Sequence, residues 1–348
     1  MLPFPVYRRH DSASQAKYQE LKQLARSQHR ILTGTPGTLK KRTQSKNQYW
    51  VREHIRVDGK KTDEYIGPVS TVDKETVAKI ANAIDLAKAL AKGSGQLRLF
   101  GYQRIDKKPA AVLEVLSNRE LFKAGLALVG SHAYGALLNE LGIVARAYKT
   151  QDIDLARAQP LAIALAGKSS LESLLKETGL SFVRVPGMPS HKPSASFKLP
   201  GAETLAVDLL VPGNKTGEII PVKELGAYAQ AIPLLDFLTE DAIEAVVLSP
   251  NQVVPVRVPS PERFALHKIF SSQSRTAGTR DKSRKDLEQA AVLAVAVEEE
   301  TPGRMVDTLR AMPAFGKTVV KRGSAAVAKL LPGNYEEVKD ILSRISAR

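Results

Sequence analysis

The 348-residue sequence predicts an α+β fold: a mixed-sheet core with a helical C-terminal domain and a small basic N-terminal module of β-hairpin and helix. Three observations predict it. The apolar run Leu126–Val129 ends at Gly130-Ser131, and an apolar-periodic segment over 132–141 follows, which is typical of a buried strand, a tight turn and a helix. Short apolar runs separated by Pro and Gly continue to Val258 and indicate further strands. From Ser260 onward the apolar spacing is helical.

The N-terminal module is predicted to begin with a helix over residues 15–29, where apolar residues stand at helical spacing. Strand-like segments around Trp50 and Ile55 lead to Asp58-Gly59, a strong signal for a hairpin turn. A second helix is predicted from Val72 to Ala91, and the run Lys92-Gly93-Ser94-Gly95 is expected to end it.

Three domains are predicted from these changes in pattern. Residues 1–100 form the basic N-terminal module, residues 101–259 the sheet-containing core, and residues 260–348 the helical C-terminal domain. In the core, strands are expected at about 181–185, 195–199 and 205–211, and as a hairpin over 244–258. The C-terminal domain is expected to begin with Ser260 as the N-cap and Pro261 in the first helical turn.

Positive charge is concentrated in the N-terminal module. The chain carries a formal net charge of +15, and residues 1–70 hold 14 Lys and Arg against 6 Asp and Glu. Cations that contact phosphates, interleaved with aromatic rings that stack on bases, are typical of nucleic-acid-binding surfaces. The alternative is that Trp50 forms the core of a small sheet. The predicted nucleic-acid contacts are Tyr49, Trp50, Arg52, Lys40, Lys41 and Arg42.

The core carries a pair of carboxylates on one predicted strand. Asp152 and Asp154 are two residues apart, so their side chains point to the same face of that strand. Neighbouring carboxylates repel each other unless a cation lies between them. The turn at Gly130-Ser131 can bind a phosphate through the free N–H groups of the helix that follows. A phosphate-binding turn and a carboxylate pair together indicate metal-dependent transfer from a nucleoside triphosphate (NTP).

A third acid strengthens this interpretation. Asp208 lies in LAVDLLVP, a run apolar enough to be a central strand. A buried carboxylate without a partner costs several kcal/mol, so Asp208 requires a cation or strong hydrogen-bond donors nearby. A Mg²⁺ or Mn²⁺ site shared by Asp152, Asp154 and Asp208 satisfies all three side chains. An ordinary half-buried strand with a solvated acidic face is the alternative for the pair alone.

The order Gly130-Ser131, Asp152-x-Asp154 and Asp208 resembles the nucleotidyltransferase fold of the DNA polymerase beta superfamily. The resemblance covers about 126–290. Twenty residues separate Ser131 from Asp152, more than in many members, and this spacing with the ending TQDIDL resembles a bacterial subgroup known only as nucleotidyltransferases. The resemblance implies that the three acids are catalytic metal ligands and that Asp208 is the nearest general base. It also implies that Gly130 and Ser131 bind the NTP.

The same resemblance adds two lysines to the predicted site. Several branches of the superfamily, including toxin-type members, carry a Lys on a helix after the sheet and a K-D-x-x-D-L-like string at the next helix. Lys268 and Lys285-Asp286-Leu287 match these positions, although the second acid of the fuller pattern is missing. Lys268 and Lys285 are therefore predicted to bind the nucleotide. His132 is left out of the catalytic set, because a histidine in the first turn of a helix is more often simply exposed to solvent.

The expected function is transfer of a nucleoside monophosphate from an NTP such as ATP, with Mg²⁺, to a hydroxyl of a nucleic acid or of a protein. RNA is favoured as the acceptor, and tRNA in particular. The alternative is a non-catalytic nucleic-acid-binding protein built on the same scaffold. Three intact acids argue against it, because a scaffold has no use for clustered negative charge.

Several other classes are excluded by the sequence. The chain has no cysteine, so it has no disulfide, thiolate metal site or thiol nucleophile. It contains no Walker P-loop and no G-x-S-x-G nucleophile elbow. No apolar run approaches the ~20 residues of a membrane span, and the start does not resemble a signal peptide. These features predict a cytoplasmic protein without a membrane partner; the sequence does not predict its oligomeric state.

Overall fold

A computed structural model of the chain describes residues 1–146, 148, 150–161, 170–187, 192–201, 205–274 and 280–347. It confirms the predicted α+β class: a mixed sheet lies at the centre, helices form the C-terminal region, and a small sheet with helices forms the N-terminal region. No helix within these ranges is long and apolar enough to cross a membrane.

The strands and helices of the described residues are named here in chain order. The strands are β1 (Arg8–Arg9), β2 (Thr38–Gln44), β3 (Asn47–Ile55), β4 (Lys61–Pro68), β5 (Ala127–Val129), β6 (Ile143–Val144), β7 (Asp152–Ala156), β8 (Val183–Arg184), β9 (Ser196–Leu199), β10 (Leu205–Pro212), β11 (Ile219–Val222), β12 (Ala227–Ile232), β13 (Ile243–Leu248) and β14 (Val253–Val258). The helices are α1 (Ser12–Arg26), α2 (Lys74–Leu99), α3 (Lys107–Asn118), α4 (Gly130–Glu140), α5 (Leu171–Glu177), α6 (Leu235–Thr239), α7 (Pro261–Gln273), α8 (Arg280–Glu300), α9 (Arg304–Ala311), α10 (Ala314–Leu330) and α11 (Glu336–Ala347).

The central sheet places β10 in its middle. The strand order is β11-β12-β10-β7-β5. β10 pairs with β9 through residues 205–208 and with β12 through residues 210–212. β9 also pairs with β8. β10 runs parallel to β7 and β12, whereas β5 is antiparallel to β7. Ile153, Leu155, Val207 and Leu209 are completely buried. Because side chains alternate along a strand, the intervening aspartates lie on the opposite, partly open face.

The N-terminal region combines a three-stranded antiparallel sheet, β2-β3-β4, with α1 and α2. Tyr18 and Leu21 of α1 are buried with Leu90 and Leu97 of α2 against the β13–β14 hairpin. This apolar cluster therefore joins the two N-terminal helices to a hairpin of the following region. The domain boundaries at residues 100 and 259 stay predictions.

The predicted end of the second N-terminal helix is wrong. α2 continues through Gly93 and Ser94 to Leu99. A Cβ at Gly93 would lie 2.5 Å from Leu21 Cδ1, so glycine allows α1 and α2 to approach closely. The Ser94 hydroxyl donates to the Ser249 carbonyl oxygen at 2.7 Å, which ties α2 to the hairpin. The small residues serve helix packing here and do not end the helix.

Most other predicted elements are confirmed, with two informative differences. The sequence did not predict β11 and β12, because Pro221 in β11 and the alanines of β12 are poor strand formers that tertiary pairing overrides. Ser260 occupies the N-cap position of α7 and Pro261 its first turn, but the Ser260 hydroxyl caps no backbone N–H.

Candidate active site

Strand register brings two of the three predicted acids face to face. Asp208 of β10 is the direct partner of Asp154 in parallel β7. On the far side of β10, Ser196 pairs with Asp208, and on the far side of β7, Val129 pairs with Asp154. Ser196, Asp208, Asp154 and Val129 therefore form one row across four strands. Adjacent strands in this row are about 4.8 Å apart. Asp152 lies on the same face at the exposed start of β7.

The glycine of the Gly-Ser turn is required by its contact with this row. Gly130 has φ +69°, a left-handed conformation that disfavours any side chain. A Cβ at Gly130 would lie 2.0 Å from Asp154 Oδ2. The turn between β5 and α4 therefore passes directly over a carboxylate of the site. It brings the first N–H groups of α4, which have no partner inside the helix, next to Asp154.

Burial shifts the pKa values of both facing acids upwards. Burial, followed by the charge of Asp208, raises the pKa of Asp154 from 3.8 to about 6. Burial also raises the pKa of Asp208, while the hydroxyl of Ser196 donates a hydrogen bond to it and opposes that rise. Both carboxylates would be stabilised in their ionised form by a cation.

The two predicted lysines lie next to this row, on α7 and α8. Lys285 Nζ donates to Ser131 Oγ at 2.6 Å, and burial, followed by the charge of Lys268, lowers the Lys285 pKa. Lys268 Nζ is 2.8 Å from Oδ1 of Asp286, which is buried. Lys268 also lines a small cavity together with Gly130 and Asp154. The structure thus places both lysines at the Gly-Ser turn and the acids.

The donor set fits a metal ion that binds together with a triphosphate. Among the described residues, no group of three or more His, Cys, Asp or Glu side chains is arranged to hold a metal ion, so the acids do not form a closed cage. Mg²⁺ in proteins is usually held by one or two carboxylates together with substrate phosphates. Asp154 and Asp208 beside the Gly130 turn provide such a pair.

Arg52 is not available to a nucleic acid, and its prediction as a contact is wrong. It is 2 % exposed, its Nε donates to Glu64 Oε2 at 2.7 Å, and its other nitrogens donate to carbonyl oxygens of residues 33–36. The side chain instead ties the small sheet to the preceding loop. A buried arginine on a strand cannot be distinguished by sequence from a solvated one.

The other predicted nucleic-acid contacts remain on the surface. Trp50 is half-exposed, with Lys41 Nζ 4.9 Å above its ring centre, so it does not fill the core of the small sheet. Tyr49 is also half-exposed. Lys40 and Arg42 are exposed and form ion pairs with Glu53, which reduces the charge they offer to an external phosphate.

His132 is buried, contrary to the expectation that it is solvated. Only 7 % of its surface is exposed, and burial, followed by the charge of Lys285, lowers its pKa to about 4. The residue is neutral at physiological pH. Its Nε2 has no hydrogen-bond partner among the residues that the structure describes.

The sequence reasoning missed the roles of three residues of the site. Ser196 orients Asp208, Asp286 holds Lys268, and Glu288 accepts hydrogen bonds from Tyr148 and Arg284. Asp286 belongs to the Lys285-Asp286-Leu287 match and Glu288 directly follows it, so both roles could have been inferred from their helical spacing. No signal marks Ser196, because its role depends on the pairing of β9 with β10.

Comparison with known families agrees with this arrangement. A family model described as Nucleotidyltransferase matches residues 107–313, which is more than half of the chain and includes Asp152, Asp154, Asp208, Lys268 and Lys285. Searches of curated proteins and of solved structures found no match. With a mixed sheet, paired aspartates and a Gly-Ser turn inside the matched region, the chain belongs to the nucleotidyltransferase family.

Proposed function

We propose that this protein is a metal-dependent nucleotidyltransferase of the DNA polymerase beta superfamily that transfers a nucleoside monophosphate from an NTP to a hydroxyl group. One observation carries the proposal. Asp154 and Asp208 are direct partners on parallel strands, and the absence of a side chain at Gly130 leaves room for Asp154. Acids at a phosphate-binding turn suit a metal–triphosphate complex.

Each residue has a role in this proposal. Asp154 and Asp208, with Asp152 at the exposed start of β7 and the phosphates of the NTP, would hold Mg²⁺ or Mn²⁺, which would neutralise phosphate charge and lower the pKa of the attacking hydroxyl. The N–H groups that follow Gly130 and the hydroxyl of Ser131 bind the triphosphate. Lys268 and Lys285 supply positive charge to it.

Proton removal from the acceptor falls to Asp208. The Ser196 hydroxyl donates a hydrogen bond to this carboxylate and fixes its orientation for that role.

For the acceptor we propose a nucleic acid, with RNA and tRNA favoured, held in part by the N-terminal module. The net charge of +15, the exposed Lys41 and the half-exposed Trp50 beneath it support this choice. In this division of labour, residues 1–100 contact the acceptor, 101–259 carry the acids, and 260–348 supply the lysines.

The direct test is transfer of labelled phosphorus. The protein is incubated with Mg²⁺, each NTP labelled at the α-phosphorus, and either total RNA, tRNA or a protein pool. Label is expected on RNA, with release of pyrophosphate, and should be lost with a chelator. Label on protein alone would move the acceptor to proteins, and absence of label on every acceptor would contradict the proposal.

Replacing Lys285 by Ala is expected to weaken binding of a non-hydrolysable NTP analogue by about 1–3 kcal/mol, the range for charge-assisted hydrogen bonds. Calorimetric titration checks this. Arg284→Ala is the matched control, because Arg284 precedes Lys285 on α8 but is exposed and paired with Glu288. Equal losses in both variants would show that Lys285 contributes only general charge.

Replacing Trp50 by Ala together with Lys41 by Gln is expected to weaken RNA binding, and the loss of one cation should reduce the slope of log affinity against log salt by about 1. Lys60→Gln is the control, because Lys60 is an exposed cation of the β3–β4 turn. RNA affinity unchanged in the double variant would remove this surface from the proposal.

A further inference from the structure

Two cavities flank the Gly130-Ser131 turn. The smaller, of about 160 Å³, is lined by apolar side chains such as Leu235 and Phe264 together with Asp154 and Lys268. The larger, of about 310 Å³, lies on the Ser131 side and has a much more polar wall. The proposed reaction needs two substrates, an NTP and an acceptor, and the two cavities differ in the chemistry that they offer.

The positively charged side chain of Arg104 lines the larger cavity. The N–H of the next residue, Ile105, donates to the Leu248 carbonyl oxygen at 3.0 Å, which anchors the backbone beside β13. Within the part of the chain that the structure describes, the Arg104 guanidinium has neither an ion pair nor a hydrogen bond, and burial lowers its pKa. Arg104 is half-buried, and an anionic ligand in the cavity would gain a charge-assisted contact with it.

The remaining wall suits a planar polar group. His132 and Tyr134 both line the cavity and are buried, and neither His132 Nε2 nor the Tyr134 hydroxyl has a hydrogen-bond partner among the described residues. Buried polar atoms are nearly always satisfied, so orphaned ones next to a cavity point to a missing ligand. The ring of Tyr148 adds an aromatic wall.

The position of the cavity connects it with the acids. Ser131 and Thr150 both line it. The Thr150 hydroxyl accepts a hydrogen bond from the Asp152 N–H at 3.1 Å, so the cavity wall reaches the exposed start of β7. A ligand in this cavity therefore lies beside the row of carboxylates, on the other side of the turn from Lys268.

We propose that the larger cavity binds the terminal nucleotide of the acceptor, with Arg104 on its phosphate and the polar wall around its base. This inference rests on the proposed function and narrows the acceptor to a chain that ends in a nucleotide. The apolar cavity with Lys268 remains for the nucleoside of the NTP. An unmodified protein acceptor would leave Arg104 without an anion.

The test measures how tightly the full chain binds a series of dinucleoside monophosphates. Free 5′-mononucleotides are measured as well, because they carry the same base and phosphate groups. Arg104→Gln is expected to lower the affinity for the dinucleotide by about 10- to 100-fold, the loss of a charge-assisted contact. The affinity for a Mg²⁺–NTP analogue should be unchanged. Tighter binding of free mononucleotides than of dinucleotides would assign the cavity to a free nucleotide and overturn the acceptor role.

Arg98→Gln is the matched control. Arg98 is exposed and influences Arg104 electrostatically, but it does not line the cavity. Equal losses in the two variants would overturn the proposal in favour of general electrostatic attraction. An equal loss of NTP affinity in Arg104→Gln would assign the cavity to the NTP and overturn it as well.

A second variant tests the cavity without changing charge. Gly135 lines it from α4, and a Cβ there meets nothing closer than 3.4 Å, so Gly135→Leu should fold and fill the space, with Gly135→Ala as the control. Loss of dinucleotide binding in the Leu variant alone supports the proposal; unchanged binding contradicts it. Arg104-dependent binding without any label transfer would instead contradict the proposed function.

Discussion

Replacing Asp154 by Asn is expected to abolish nucleotidyl transfer and to stabilise the metal-free protein. Transfer should fall by roughly 10³-fold or more, because a metal ion contributes several kcal/mol of charge stabilisation that a neutral amide cannot retain. Stability should rise because burial and Asp208 raise the pKa of Asp154 from 3.8 to about 6. At 1.36 kcal/mol per pKa unit, the carboxylate destabilises the metal-free fold by about 1–3 kcal/mol at neutral pH.

The pH dependence follows from the direction of this shift. Between pH 3.8 and about 6 the native state holds more protons than the unfolded state, so the stability contributed by this group falls as the pH rises through that window. The penalty is complete above it. The stabilisation by Asp154→Asn, measured by thermal unfolding in chelator, should therefore be large at pH 7.5 and small at pH 4.

Asp152→Asn is the matched control for this prediction. It removes the same charge from the same strand, but Asp152 is exposed. Transfer should also fall, whereas the free energy of unfolding should change by no more than about 0.5 kcal/mol. Unfolding of Asp154→Asn at neutral pH would show that this acid has a structural role instead.

Replacing Gly130 by Ala is expected to cause a comparable loss of transfer for a steric reason. The new Cβ would lie 2.0 Å from Asp154 Oδ2, so either the turn or the carboxylate must move. A shift of about 1 Å can cost about 100-fold in rate, and both the phosphate-binding turn and a metal ligand are affected here. Transfer assays with the purified variant check this.

Gly303→Ala separates this clash from backbone strain. Gly303 also has a positive φ, +86°, but a Cβ there would meet no atom within 4 Å. Gly303→Ala should reduce stability by about 1–2 kcal/mol, because alanine is disfavoured in the left-handed region. Gly130→Ala should reduce it by at least as much, because the clash adds to the same strain. Only Gly130→Ala should lose transfer. Normal transfer by Gly130→Ala would mean that the close approach to Asp154 is not required.

The acids and the turn could be predicted from sequence because each has a local signature. Asp152 and Asp154 alternate with apolar residues, and Gly130-Ser131 separates a buried run from a helix. Their meeting with Asp208 required the parallel pairing of β7 with β10, which sequence spacing does not specify. The resemblance to a known superfamily supplied the expectation, and the register of the strands supplies its geometry.

Other features depend on contacts between segments far apart in sequence. Lys92-Gly93-Ser94-Gly95 has the composition of a helix stop, but contacts with Leu21 and Ser249 favour a continuous helix. Arg52 has a side chain typical of phosphate ligands, but Glu64 and loop carbonyl oxygens surround it. Arg104 has no motif, and only the cavity beside it indicates a role.

The central claim is that Asp154 and Asp208 hold a metal ion jointly with the triphosphate, and one measurement tests it most directly. The affinity of a non-hydrolysable NTP analogue is measured with Mg²⁺ and with chelator, in the wild type and in Asp208→Asn. We expect Mg²⁺ to tighten binding at least about 10-fold in the wild type, within the usual range of coupling between two ligands, and to have little effect in Asp208→Asn. Affinity independent of Mg²⁺ in the wild type, or equal dependence in both proteins, would contradict the claim.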